Sequence, residues 1–134
     1  MSPQKRVVLR LFDEVVNEGR LDRVGELYAP GFVDHAPGPG QAPGPEGIAQ
    51  MLAQFRDAVP DIRCRVEHVV EEGDLVATRE TWEGTVRKAY RGVAPDGARR
   101  RGTRMHVFRL REGRIVEEWS EGAGIFGFAP PTRD

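Results

Sequence analysis

The sequence has one cysteine, Cys64, among its 134 residues, which excludes an internal disulfide and any cysteine-based metal cluster. Cys64 alternates with Ile62 and Val66, so it reads as a small buried apolar residue and not as a nucleophile. No apolar run approaches the roughly 18 residues that a membrane span needs. The N-terminus enters a charged helical pattern at once and shows no signal-peptide arrangement. A cytoplasmic protein with no membrane partner is therefore expected. The net charge of −1 gives no global attraction for nucleic acid. The run Arg99-Arg100-Arg101 has no interleaved aromatics and reads as a solvated edge. The three histidines, His35, His68 and His106, have no short ligand spacing, so no metal site is expected. His68 lies among Glu67, Val69 and Glu71 as an exposed or edge residue. No glycine-rich nucleotide fingerprint joins a strand to a helix, and Ser120 lacks an elbow motif around it.

What is present is ordinary for one soluble domain: 39% hydrophobic and 31% charged residues in a chain long enough for one sizeable core. Ser2-Pro3 has the form of an N-cap followed by proline at the first helical position. Val7, Val8, Leu11, Phe12, Val15 and Val16 then recur at helical spacing. This helix is expected to end near Gly19. A second, short helix is expected from Leu21 to Tyr28, stopped by Pro30-Gly31, and a short extended piece follows at 32–35. Four prolines and four glycines make 36–47 a loop, either a pocket rim or an inert connection. The spacing of Ile48, Met51, Leu52 and Phe55 predicts a third helix over 46–58.

From Ile62 the period changes to two. Strands are expected at 62–71 and 75–85, then a strand from Val86 that breaks into an exposed turn, then a closing hairpin of 103–110 and 114–121. Arg111-Glu112-Gly113 is read as its three-residue turn. Alternation groups Arg104, His106, Phe108 and Leu110 on one face of the first hairpin strand, and Val116, Glu118 and Ser120 on one face of the second. Apolar residues near the turn with polar ones at the far end suit the wall of a pocket. The tail from Gly122, with Ile125, Phe126 and Phe128, is read as irregular packed coil. Helices segregated from a largely antiparallel sheet make an α+β domain.

Three stretches carry a family resemblance: VVLRLFDEVVNEGRLDRVGELYAPGFVDHAPGPGQAPGPEGIAQMLAQFRDAVPD, VEEGDLVATRETWEGT and MHVFRLREGRIVEEW. In this order they resemble the SnoaL-like polyketide cyclases of the nuclear transport factor two-like superfamily, which also holds ketosteroid isomerases and scytalone dehydratase. The resemblance implies a curved sheet wrapped round three helices as a cone, a pocket at one end and a homodimer through the outer sheet face. It also implies a small-molecule substrate closed into a ring by an intramolecular aldol reaction, with neither metal nor organic cofactor. His106 falls on a pocket histidine of the family and Asp34 on a polar position. Ser120 stands where the family places its catalytic aspartate, and Glu118 where it places a histidine.

An aldol closure needs a base beside a carbonyl and a donor for the developing oxyanion. The expected catalytic group is His106, Glu118, Ser120 and Asp34. Expected substrate contacts are His35, Met51, Phe55, Glu80, Trp82, Arg104 and Phe108. Glu118 has two readings: a base whose pKa is raised by burial against Phe108 and Val116, or a carboxylate paired with Arg104 or Arg109. Asp34 is a pocket group or a turn cap with an exposed His35. Glu80, beside Trp82, is an acid or a surface carboxylate at a dimer face. Trp119, facing away from Ser120, is read as packing. The function expected is a cofactor-independent cyclase or isomerase of a polyketide-like molecule. The alternatives are a hydratase, dehydratase or epoxide-opening cyclase, and a non-catalytic small-molecule-binding protein.

Overall fold

The computed structural model describes residues 1–126; the expectation for Phe128 lies outside the described residues. Ser2 caps helix α1 (Pro3–Arg10), its hydroxyl accepting from the Lys5 N–H at 3.1 Å with Pro3 in the first turn, as the sequence predicts. The helix then widens into a π-helical segment, Leu11–Asn17, in which Glu18 N–H reaches back five residues to the Asp13 carbonyl. That change of pitch was not legible in the spacing. It buries Leu11, Phe12, Val15 and Val16 together.

A 3₁₀ turn, Leu21–Arg23, leads into α2 (Val24–Leu27). The helix stops before Tyr28, one residue short of the expectation, because Tyr28 takes an extended conformation and opens β1 (Tyr28–Asp34). Pro30 and Gly31 do not terminate a helix; they lie inside β1, where its register against β5 is irregular. A proline is tolerated there because β1 is an edge strand and need not donate on its open side. Helix α3 (Gly44–Ala58) starts two residues earlier than expected and buries Ile48, Leu52, Phe55 and Ala58.

The remaining strands are β2 (Arg63–Glu72), β3 (Leu75–Thr85), β4 (Arg99–Arg111) and β5 (Arg114–Glu121). The curved, unclosed sheet has the order β1-β5-β4-β3-β2, antiparallel except for the parallel β1–β5 pair. The α+β architecture is the one expected.

Two details of the closing hairpin differ from the sequence reading. Arg111 pairs with Arg114, so the turn has two residues and not three: Glu112 at φ 51° and Gly113 at φ 79°, the doubly left-handed conformation that matches strand twist. The register also slips between Arg109 and Leu110, pairing Arg109 with Glu117 but Leu110 with Ile115. Val116 is thus the extra residue of a bulge. Ile115 replaces it in the core at 0% exposure, and Glu118 and Ser120 keep the inward face.

Residues 86–98 leave the sheet instead of forming most of a strand. Arg87 N–H bonds the Ala58 carbonyl at 2.7 Å, and a tight turn at Arg91-Gly92 brings Tyr90 opposite Val93. The three arginines open β4 and are neutralised locally: Arg99 by Asp61 and Glu83, Arg100 by Asp96, Arg101 by Glu83. Cys64 is buried, and burial pushes its thiol far above the usual range, as its apolar reading requires.

Candidate active site

The inner faces of β3, β4 and β5 meet the π-helical segment and α3 across a cleft of about 120 Å³. Its floor and walls include Phe12, Met51, Phe55, Trp82 and Tyr90, and its polar groups include Asp34, Arg104, His106, Glu118 and Ser120. Ala36, Gly38 and Gln41 of the proline-rich loop border it, with Arg91 beside them. The loop is therefore a pocket rim. A side chain at Gly38 would collide with the Arg91 guanidinium, so the two loops lie in direct contact at the mouth.

β3 and β4 pair with Thr78 opposite His106 and Glu80 opposite Arg104. Alternation puts Thr78, Glu80 and Trp82 on the inward face of β3. Glu80 is wholly buried, which overturns its reading as a surface carboxylate. One of its oxygens accepts from the Thr78 hydroxyl at 2.5 Å; the other accepts from the Trp82 indole N–H at 3.1 Å and meets His106 Nδ1 at 2.9 Å. Tryptophan only donates, so that oxygen is an acceptor and the proton of the histidine contact sits on Nδ1. Nε2 is then the ring nitrogen free to act in the cleft. The imidazole is held flat on Phe108, 5.3 Å between centroids with planes 7° apart, and edge-on to Phe12 at 5.6 Å.

Glu118 sits next to Asp34 through the parallel β1–β5 pairing. It is 7% exposed and accepts from the Tyr28 hydroxyl at 2.8 Å. Burial raises its pKa above the ordinary carboxylate value, and Asp34 adds to the rise. His106, the Tyr28 hydrogen bond and Arg104 pull the other way without cancelling it. Burial beside Glu118 likewise pushes the Tyr28 phenol well above its usual range, so Tyr28 remains a donor. Among the described residues Glu118 forms no ion pair; Arg109 instead pairs with Asp74 and Glu117.

Asp34 borders the cleft, but both its oxygens are occupied, by Ala36 N–H at 2.9 Å and the Gln41 amide at 3.0 Å. This is the turn-capping alternative. Ser120 accepts from an Arg104 terminal nitrogen at 2.8 Å.

The cleft thus brings together Asp34, Met51, Phe55, Trp82, Arg104, His106, Glu118 and Ser120. Three expected substrate contacts lie elsewhere. His35 follows Asp34 in an extended chain and points to the opposite face, bonded to Glu117 at 2.8 Å and stacked on Trp119. Glu80 stands behind His106, and Phe108 lies beneath it at 0% exposure. Tyr28, Gln41, Tyr90 and Arg91 were not anticipated. For Tyr28 a signal existed: Ala29 precedes a proline, which disfavours helix there and draws the boundary back.

Among the described residues, no group of three or more His, Cys, Asp or Glu side chains is placed to hold a metal ion, and no helix is long and apolar enough to cross a membrane.

Comparison with known proteins agrees with this fold. The profile of the family described as SnoaL-like polyketide cyclase matches residues 6–122. Among solved structures, IdmH of Streptomyces antibioticus, named as a candidate polyketide cyclase, is 32% identical, with a TM-score of 0.77 over 89% of this chain and 91% of that one. A candidate SnoaL-like polyketide cyclase from Jannaschia sp. CCS1 is 27% identical, with a TM-score of 0.78 over 90% and 85%. TsrD of Streptomyces laurentii shares the fold at a TM-score of 0.81 and 21% identity over 90% and 87%. No curated protein matches the chain.

Proposed function

The chain belongs to the SnoaL-like polyketide cyclase family, and from that premise we propose that it closes a ring in a polyketide-like ketone by proton transfer, without a cofactor. The observation that carries this reading is the His106–Glu80 pair at 2.9 Å on the wall of an apolar cleft. A buried carboxylate fixes the tautomer and stabilises the imidazolium that forms when Nε2 accepts a proton.

In this reading His106 Nε2 removes a proton from the carbon beside a substrate carbonyl, giving an enolate. The enolate carbon attacks a second carbonyl of the same molecule, forming the carbon–carbon bond and leaving an alkoxide. Glu118, held towards its protonated form by burial, gives that alkoxide a proton from the oxygen not bonded to Tyr28. The imidazolium proton returns to Glu118 directly or through water, and both groups are reset. Asp34 acts as a positioning residue that ties the 36–43 loop through Gln41. Exposed Val33, Val70 and Met105, outward on β1, β2 and β4, support a homodimer through the outer sheet face.

The test is ring closure of ketones bearing a second carbonyl, supplied as ester and as free acid and followed by mass spectrometry. Wild type should convert at least one, and His106→Gln should lose on the order of 10²-fold or more. Binding without turnover by wild type, or full turnover by the variant, would overturn the assignment.

A further inference from the structure

Among the described residues Arg104 combines two conditions unusual for a cation. It projects from the inward face of β4 into the cleft, and its Nε is buried with no hydrogen-bond partner. Arg100 Nε shares that condition, but Arg100 lies outside the cleft and its terminal nitrogen is paired with Asp96 at 2.8 Å. Among the described residues Arg104 has no carboxylate within ion-pair distance, whereas Arg99, Arg100, Arg101 and Arg109 each have one. Its cross-strand neighbour Glu80 is committed to Thr78, Trp82 and His106. Its one side-chain partner in the cleft is neutral, the Ser120 hydroxyl.

A guanidinium is never deprotonated at working pH, and leaving its donors buried and unpaired is costly unless something else fills them. The stem runs beside Gly124 and Gly122: a Cβ at Gly124 would stand 3.4 Å from its Cγ and Cδ, and one at Gly122 would stand 3.6 Å from its Cγ. A second cation, Arg91, stands exposed at the rim over the Tyr90 ring at 5.1 Å, also without an acidic partner among the described residues.

We propose that Arg104, oriented by Ser120, forms a carboxylate-binding subsite, so that the substrate taken by this cleft is an acid and not its neutral ester or amide. The proposal rests on the cleft being the substrate site. It names the class of substrate that the site selects, with Arg91 drawing the anion to the mouth. The planar guanidinium offers Nε–H and a terminal N–H side by side, the geometry that receives a carboxylate on two parallel hydrogen bonds. A neutral residue at 120 is essential to this arrangement, since a carboxylate there would pair with Arg104 and fill the subsite from within.

The test uses 2-naphthoate and 2-naphthamide, nearly equal in shape and different in charge. Binding is measured by calorimetry and located by chemical-shift changes at Phe12 and His106. Wild type should bind naphthoate at least tenfold more tightly than naphthamide. Arg104→Gln and Ser120→Asp should each reduce that preference to less than about twofold, and Arg104→Lys should retain part of it. Circular dichroism and a cooperative urea transition show that the variants are folded. Equal binding of the two ligands in wild type, or a preference that survives in Arg104→Gln, overturns the proposal and leaves the cleft reading standing. Binding of neither ligand at the cleft overturns both.

Discussion

Replacing Glu80 with glutamine isolates the charge of the buried carboxylate from its shape. The oxygen that meets both Trp82 Nε1 and His106 Nδ1 faces two donors, one of which can never accept, whereas the other oxygen faces only a hydroxyl that can rotate. The amide should therefore place its oxygen towards Trp82 and His106 and its NH₂ towards Thr78, preserving the Nδ1–H tautomer. The indole and imidazole donors stay satisfied, while the Thr78 hydroxyl loses the oxygen it donates to and turns to accept from the amide, so unfolding in urea should show a loss of about 1 kcal/mol. What is lost is the ionised acceptor opposite the imidazolium. A hydrogen bond to a charged group contributes about 1.5–3 kcal/mol against about 0.5–1.5 for a neutral one. The difference of roughly 1–1.5 kcal/mol corresponds to about a tenfold fall in kcat. Glu80→Ala should behave differently, because it strands the indole N–H at a cost of about 1–3 kcal/mol and releases the tautomer. Ring-closure rates measured beside ¹⁵N spectra of His106 decide the matter. A Glu80→Gln enzyme at the wild-type rate, or one with its proton on Nε2, would falsify the reasoning.

Two further substitutions probe the fold and its protonation. Burial raises the folded pKa of Glu118 above its unfolded value near 4.5, so between those two values the native state binds more protons and stability falls as pH rises. Glu118→Gln, whose carbonyl still accepts from Tyr28, should remove this slope. Urea midpoints taken across pH 4 to 8 should show the variant gaining on wild type from about pH 4.5 upward and then levelling; parallel curves would contradict the account. At the hairpin, Glu112 holds φ 51° without being glycine. Asparagine tolerates that conformation better, so Glu112→Asn should raise stability by a few tenths of a kcal/mol, and a lower melting temperature would count against the two-residue turn.

The elements were legible where one local period was unbroken. The spacing of Ile48, Leu52 and Phe55 defined α3, and alternation put Arg104, His106, Phe108 and Leu110 on one face, which the structure bears out through the burial of His106, Phe108 and Leu110 and the place of Arg104 in the cleft. The misses arise where a longer-range contact decides. Tyr28 continues the helical pattern, but pairing with β5 makes it extended. Ile115 and Val116 are both apolar, so nothing in their identity reveals which one the bulge expels. Alternation assigned Glu80 a face but not a layer, and only the arrival of Trp82, Thr78 and His106 around it explains a buried carboxylate. The same logic separates the adjacent pair Asp34 and His35, whose opposite facings follow from an extended chain.

The wide turn at Leu11–Asn17 makes the N-terminal helix unequally tolerant of insertions and deletions. Removing one residue there would let the helix regularise, which improves its local hydrogen bonding. The residues before the cut would keep nearly their present facing, because a wide turn absorbs one extra residue without rotating its neighbours. Val8, at 0% exposure, would stay against the sheet, whereas the same deletion inside Pro3–Arg10 would turn the preceding residues by about 100°. Natural length variation in this chain should accordingly collect in the loops at 36–43 and 86–98 and, as a single-residue deletion, in a segment that looks, by composition, like plain helix.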